Sequence, residues 1–155
     1  MVSELPSASR RFLDSIDLEV EVKMFPEGTK TAEDAAGAIG CPVAAIVKSL
    51  VFTVDDEPVV ALVPGDLRLD TVKLASIAGG ARAARADLEV VRAVTGYAAG
   101  GTPPFGHATQ LRVFADPALK RNDPVWAAAG TPTTVFPISI ANLDRLAGPI
   151  WVDLT

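Results

Sequence analysis

The chain has 155 residues and a mass of 16.1 kDa, so we expect residues 1–155 to form a single domain. It is 49% hydrophobic and 21% charged, which excludes a disordered chain, and no apolar run reaches the ~20 residues of a membrane span. A net charge of −5 argues against a protein that coats DNA or RNA along many phosphates. Because the first residues lack a secretory signal pattern, we expect a cytoplasmic protein.

Hydrophobic periodicity and turn residues predict a mixture of helices and strands. Helical spacing of apolar residues places helices at residues 10–16, 32–39, 71–78, 88–94 and 141–147. Alternation and β-branched residues place strands at residues 18–24, 47–54, 59–63, 111–115, 125–129, 133–138 and 150–154. Turns are expected at residues 26–28 and 55–58, and the second of them joins its flanking strands as an antiparallel hairpin.

Several helices carry recognisable end signals. Thr31 is placed to cap the helix at residues 32–39, and Gly40 is placed to end it. Asp70 and Asp87 precede the next two helices in the same way. The order of elements indicates an α+β or mixed α/β fold, built on a large, mostly antiparallel sheet surrounded by helices.

Residues 95–107 form a segment too rich in glycine and proline for a helix or a strand. Long ordered loops in small domains are often functional. Its adjacent glycines allow successive backbone N–H groups to converge on an oxyanion or a water molecule. The alternative is a plain connection between two elements.

Lys48 is unusual for its place in a predicted strand. Alternation puts it on the same side as Leu50, Phe52 and Val54, which are core residues by pattern. Such a lysine can point out of the core into a cleft and bind a phosphate or a ribose oxygen. The pattern alone favours the alternative, a strand-end lysine whose aliphatic stem covers apolar surface.

The chain has one cysteine, Cys41, and one histidine, His107. A single cysteine forms no disulfide within the chain. One cysteine and one histidine are too few ligands for an ordinary structural zinc site. We therefore expect no metal, and we expect no cofactor. A thiol-dependent hydrolase would need both residues. Cys41, between a helix-ending glycine and Pro42, fits a small buried apolar residue better, and His107 fits a solvated loop residue better.

Charge is unevenly distributed along the chain. Residues 1–57 hold 11 acids and 5 bases, whereas residues 66–121 hold 5 acids and 8 bases. An anionic ligand is therefore expected to meet the middle of the chain.

Three segments, in this order, resemble the YbaK/ProX family, the free-standing relatives of the editing domain of bacterial prolyl-tRNA synthetase. They are TAEDAAGAIG at residues 31–40, IVKSLVF at residues 46–52 and TGYAAGGTPPFG at residues 95–106. The resemblance extends over residues 18–155. It implies a mixed α/β fold around a mainly antiparallel sheet, and hydrolysis of a wrong amino acid from tRNA. The implied partners are the tRNA acceptor end and, further, prolyl-tRNA synthetase.

The resemblance also implies roles for individual residues. Lys48 matches a strand lysine that engages the terminal adenosine and phosphate region of tRNA. Gly100 and Pro104 match the first and last positions of a G-x-x-x-P loop, which positions the scissile ester and a water molecule. The other loop and pocket-edge residues that it implies are Phe25, Thr31, Gly101 and Thr102.

A segment of small residues, 127–130, corresponds to the lining of the amino-acid side-chain pocket in this family, which adds Ala128, Ala129 and Gly130 to the substrate-binding residues. Members specific for cysteine commonly carry Ser-Gly-Gly here and a later aspartate. In this chain the aspartate is replaced by Val135. Alanines suit a small, uncharged side chain such as that of alanine or cysteine.

The leading hypothesis is a trans-acting aminoacyl-tRNA deacylase. An aminoacyl ester is already activated, so backbone groups that orient water suffice without a catalytic triad. The first alternative is a non-catalytic module that binds aminoacylated tRNA ends or a nucleotide-like ligand. The second is a hydrolase that uses Cys41 and His107.

Overall fold

The computed structural model describes residues 5–26 and 31–155, and the helices and strands below are those of this part of the chain. The α-helices are α1 (Ser7–Ser15), α2 (Ala32–Ile39), α3 (Thr71–Ile77), α4 (Leu88–Thr95) and α5 (Ile140–Ala147). The strands are β1 (Lys23–Met24), β2 (Val47–Val54), β3 (Glu57–Pro64), β4 (Ala83–Arg85), β5 (Arg112–Ala115), β6 (Val125–Ala128), β7 (Thr134–Ile138) and β8 (Ile150–Trp151). Short 3-10 helices lie at Val43–Ala45 and Pro117–Arg121. The mixed α/β class is confirmed.

The strands form two sheets, so the expected large sheet is divided. The larger sheet has the order β4-β2-β3-β5-β8, and the smaller has the order β1-β7-β6. The pairs β3–β5 and β5–β8 are parallel and the other four are antiparallel, which confirms a mostly antiparallel arrangement. An isolated parallel bridge between Ile46 and Trp126 joins the sheets.

The division follows from where the apolar side chains lie. One buried cluster combines Val51 of β2 and Leu62 of β3 with Ala127 of β6 and Phe136 of β7. Because these inner faces bury each other, the β6–β7 hairpin stacks on the larger sheet instead of extending its ladder. A second buried cluster lies on the other side of β2 and β3 and is covered by Leu74 of α3.

Helix ends largely follow the predicted signals. The Thr31 hydroxyl accepts a hydrogen bond of 3.0 Å from the Asp34 backbone N–H, and Gly40 ends α2 with a φ of 85°. Asp70 accepts hydrogen bonds from two backbone N–H groups of α3. Asp87 precedes α4 as expected but forms no capping hydrogen bond through its side chain.

Two strands are much shorter than predicted, and one strand was not predicted. Of residues 18–24, Lys23–Met24 alone form a ladder, whereas Leu18, Val20 and Val22 pack on the core through alternate side chains without a partner strand. Strand β8 is shorter than predicted. Strand β4, which pairs with the end of β2, was not predicted because two alanines and an arginine carry no β pattern. The turn predicted at residues 26–28 lies outside the described residues except for Pro26.

Within residues 5–26 and 31–155, no helix combines the length and the hydropathy that a membrane crossing requires.

Candidate functional site

A cleft of about 330 Å³ opens where α2, the first half of β2, the β6–β7 hairpin and the glycine loop (residues 95–107) meet. Five of the predicted site residues line it, namely Thr31, Lys48, Gly100, Thr102 and Ala128. Val135 lines it as well. Segments far apart in the sequence are thus brought to one cavity.

Lys48 lies at the edge of this cleft on the predicted face of β2. Alternation places Leu50 and Phe52 of the same face in the cluster beneath α3, and Lys48 is half-buried. Its Nζ atom donates a hydrogen bond of 2.6 Å to the carbonyl oxygen of Leu67. One of the three ammonium protons is therefore used to fix the side chain, which leaves two for a ligand.

The charges around Lys48 have mixed signs. Burial is the largest influence and lowers the pKa of the Lys48 ammonium below its usual value. Glu33 and Asp66 oppose that lowering of the pKa, whereas Arg68 and Arg85 add to it. Arg68 and Arg85 therefore both lie within electrostatic reach of Lys48, and an anionic ligand would stabilise these cations.

One of the two neighbouring acids is already paired. Asp66 accepts hydrogen bonds from both terminal guanidinium nitrogens of Arg121, at 2.9 and 2.7 Å. This contact is the main cause that lowers the pKa of the Asp66 carboxyl. Its negative charge is therefore partly neutralised by Arg121, and the balance beside Lys48 is more positive than a count of charges indicates.

The glycine loop is held by its own backbone and by the turn after β6. Gly100 has a φ of 85°, a conformation that favours glycine. The backbone N–H of Gly101 and the hydroxyl of Thr102 both donate to the carbonyl oxygen of Ala98, at 3.0 and 3.1 Å. Gly100 and Thr102 line the cleft, whereas Gly101 and the buried Pro104 are not among its lining residues.

The segment of small residues is divided between the cleft and the core. Ala127 and Ala128 line the cleft. Ala129 is fully buried, and Gly130 turns away with a φ of 102° against the backbone of Ala8. Phe25, the remaining predicted site residue, donates its backbone N–H to the Thr133 carbonyl and does not line the cleft.

Cys41 and His107 are not brought together in this cleft. Cys41 packs beside α2, where burial raises the pKa of its thiol. His107 is part-buried rather than solvated, because its Nε2 atom donates a hydrogen bond of 2.7 Å to the Pro103 carbonyl oxygen. Burial lowers the pKa of the His107 ring. Among the described residues, no group of three or more His, Cys, Asp or Glu side chains is arranged to hold a metal ion.

Sequence reasoning missed several residues that line the cleft, and those with polar or aromatic side chains are Ser49, Arg85 and Trp126. Arg85 gave no signal because it lies on a short edge strand without a β pattern. Ser49 did give a signal in the sequence, because it is a polar residue between Val47 and Val51 on a buried strand face. Its hydroxyl oxygen is buried and forms no hydrogen bond within the described part of the chain.

The chain matches known proteins over most of its length. A family model described as "Aminoacyl-tRNA editing domain" matches residues 26–146. The proline–tRNA ligase of Geobacter sp. (strain M21) is 41% identical over 93 residues, which are 60% of this chain and 16% of the ligase. The chain thus matches about a sixth of the length of that relative.

Two other relatives match over most of their length. The uncharacterized protein YwhH of Bacillus subtilis (strain 168) is 30% identical over 138 residues, which are 88% of this chain and 87% of YwhH. A crystal structure of a proposed trans-editing enzyme for prolyl tRNA synthetase superimposes with a TM-score of 0.91 at 38% identity, covering 98% of this chain and 99% of that one. The chain therefore belongs to the aminoacyl-tRNA editing domain family.

Proposed function

We propose that the chain is a trans-acting deacylase that hydrolyses the ester bond of mischarged aminoacyl-tRNA, with tRNA-Pro carrying a small amino acid such as alanine or cysteine as the substrate. The observation that carries this proposal is the cleft itself. It combines a lysine, a glycine loop and a wall of alanines in about 330 Å³. Membership in the editing family and the likeness to a proposed trans-editing enzyme support the same activity.

In this proposal the cations receive the phosphate and ribose end of the substrate. Lys48 is fixed by the Leu67 carbonyl and keeps two N–H donors for an oxygen ligand. Arg68 and Arg85 add positive charge on the same side. The terminal adenosine would therefore lie at this end of the cleft and direct its ester toward the glycine loop.

Hydrolysis then needs a water molecule and an oriented carbonyl. Water adds to the ester carbonyl carbon, the ribose oxygen leaves, and the proton released by water passes to that oxygen, giving a free amino acid and uncharged tRNA. Gly100 and Thr102 both line the cleft where the ester would react, and the loop contacts hold the Gly100 backbone in place. Because the aminoacyl ester is activated, orientation by fixed backbone groups replaces a nucleophilic side chain.

The small-residue wall sets the size of the amino acid in this proposal. Ala35, Ala127, Ala128 and Val135 line the cleft and carry no charge. A synthetase pocket discriminates against a missing methylene by only about 1–3 kcal/mol, so a second site must remove smaller amino acids. A cleft walled by alanines would suit a small, uncharged side chain.

The experiment is a deacylation panel. Purified protein is incubated with tRNA-Pro charged with alanine, cysteine, serine or proline, and release of the amino acid is followed. The proposal expects hydrolysis of a small mischarged amino acid and little hydrolysis of the proline ester. Binding of these tRNAs without turnover would favour the non-catalytic module instead. Full activity after alkylation of Cys41 would exclude the thiol-dependent hydrolase.

A further inference from the structure

Ser49 occupies a position where the fold would favour an apolar side chain. It alternates with Val47 and Val51 on one face of β2, and both valines are about 5% exposed. Its hydroxyl oxygen is buried and has no hydrogen-bond partner within residues 5–26 and 31–155. A buried polar group without a partner destabilises the folded state, so it calls for an explanation outside packing.

Three other polar side chains on the same wall each hold a contact within the protein. The Thr31 hydroxyl accepts from the Asp34 backbone, the Thr102 hydroxyl donates to Ala98, and Lys48 donates to Leu67. Each of these contacts fixes the cleft in its unliganded form. Ser49 differs from them, because its buried hydroxyl has no such contact within the described residues.

The position of Ser49 suits such a contact. It lines the cleft and also a smaller pocket of about 90 Å³ that adjoins it, and Gly100 and Thr102 line both spaces. The hydroxyl thus lies where two cavities meet, beside the glycine loop. A serine side chain has three staggered positions, so rotation about one bond turns the hydroxyl toward either space.

We propose that Ser49 is a substrate-binding residue, whose hydroxyl hydrogen-bonds the polar part of the aminoacyl group, its ester carbonyl or α-amino group. The proposal rests on the deacylase function proposed above. The cations at Lys48 and Arg85 take one end of the substrate, and the alanine wall takes the amino-acid side chain. The aminoacyl linkage between them is the part that needs a neutral hydrogen-bonding group, and the buried Ser49 hydroxyl can supply it because it has no partner within the described residues.

The first test uses two substitutions of equal size. Ser49→Thr and Ser49→Val both add a methyl group at Cβ, and Thr keeps the hydroxyl whereas Val replaces it with a second methyl group. We expect kcat/KM for Ala-tRNA-Pro to be roughly 10-fold higher for the threonine variant than for the valine variant, the value of one net hydrogen bond. Equal kcat/KM for the two variants would overturn the proposal.

The second test separates binding from a structural role. Ser49→Ala removes an unpaired buried hydroxyl without adding volume, so its Tm is expected to equal or exceed that of the wild type. Its kcat/KM is expected to fall roughly 10-fold. A Tm that falls together with activity would assign Ser49 to the fold and would refute a ligand contact.

A binding measurement tests the Ser49 contact even if the protein is not a deacylase. If the wild-type protein hydrolyses no mischarged tRNA, binding of 3′-deoxy-3′-(alanylamino)adenosine, an amide that cannot be hydrolysed at an ester, is measured by calorimetry. Roughly 10-fold weaker binding by Ser49→Ala would support the Ser49 contact although the deacylase proposal had failed. Unchanged binding would reject the Ser49 contact independently.

Discussion

The backbone N–H of Gly130 donates a hydrogen bond of 3.0 Å to the carbonyl oxygen of Gly101. This contact joins the glycine loop to the turn that follows the alanine wall of the cleft. The two backbones approach so closely that a Cβ atom at Gly101 would lie 2.6 Å from the Cα atom of Thr131. Gly101 thus contributes by permitting this approach, although it does not itself line the cleft.

Gly101→Ala is predicted to displace the loop from this turn. Because the obstructing atoms are backbone, relief requires movement of a whole segment, and we expect the free energy of unfolding to fall by about 1–3 kcal/mol. Denaturant unfolding measures the change, and the deacylation rate is expected to fall with it.

Gly37→Ala is the matched control for that substitution. Gly37 lies in α2, and a Cβ atom there would meet nothing within 4 Å. Alanine is the better helix former, so this variant is expected to gain up to ~1 kcal/mol. Equal stability of the Gly101→Ala variant and the wild type would contradict the close approach described above.

How far the sequence reveals this site depends on the kind of signal each residue carries. Lys48 and the glycine loop stand out locally, because a charge on an apolar strand face and a run of glycines both break a pattern. The convergence of these segments depends on the stacking of the two sheets, which no local pattern encodes. Arg85 could not be predicted as a cleft residue, because backbone pairing to Phe52, and no local sequence pattern, places it there.

The fold shows the same division between local and non-local information. The hairpin of β2 and β3 was predictable because its two apolar runs flank an acidic turn. The break between the two sheets was not predictable. The strand pattern of residues 125–138 is the same whether the hairpin extends a sheet or stacks on one. Residues 18–22 carry a strand pattern but find no partner strand.

The stability of the protein is predicted to fall as the pH drops from 7.5 to 5.5. Burial lowers the pKa of His107 in the folded state below its ordinary value of about 6.5. The unfolded chain therefore binds more protons below that value, which favours unfolding as the pH falls. Ordinary carboxyl groups titrate near pH 4, below this window.

Urea unfolding of the wild type and of His107→Gln across this range checks the prediction. A glutamine amide can still donate to the Pro103 carbonyl but does not titrate. The variant is expected to show a flatter dependence on pH than the wild type. Equal slopes for the two proteins would refute a buried neutral histidine.

Binding to tRNA is predicted to depend only weakly on salt. The protein has a net charge of −5, and we expect Lys48, Arg68 and Arg85 to make the phosphate contacts. Three phosphate contacts on a single strand give a slope of about −2 in a plot of log K against log salt concentration. Fluorescence anisotropy with an acceptor-stem minihelix and with whole tRNA is expected to give similar slopes. A slope several units steeper for whole tRNA would show contacts far outside the cleft.

The rate of hydrolysis of Ala-tRNA-Pro by Lys48→Met tests the central claim most directly. Methionine keeps the apolar stem and removes the ammonium group, so we expect kcat/KM to fall roughly 10- to 100-fold, the value of one charged hydrogen bond. Lys73→Met is the control, because Lys73 lies on α3 in an exposed ion pair with Asp153 and does not line the cleft. The account predicts a large loss for Lys48→Met and no loss for Lys73→Met. Unchanged hydrolysis by Lys48→Met, or no hydrolysis by the wild type, would contradict it.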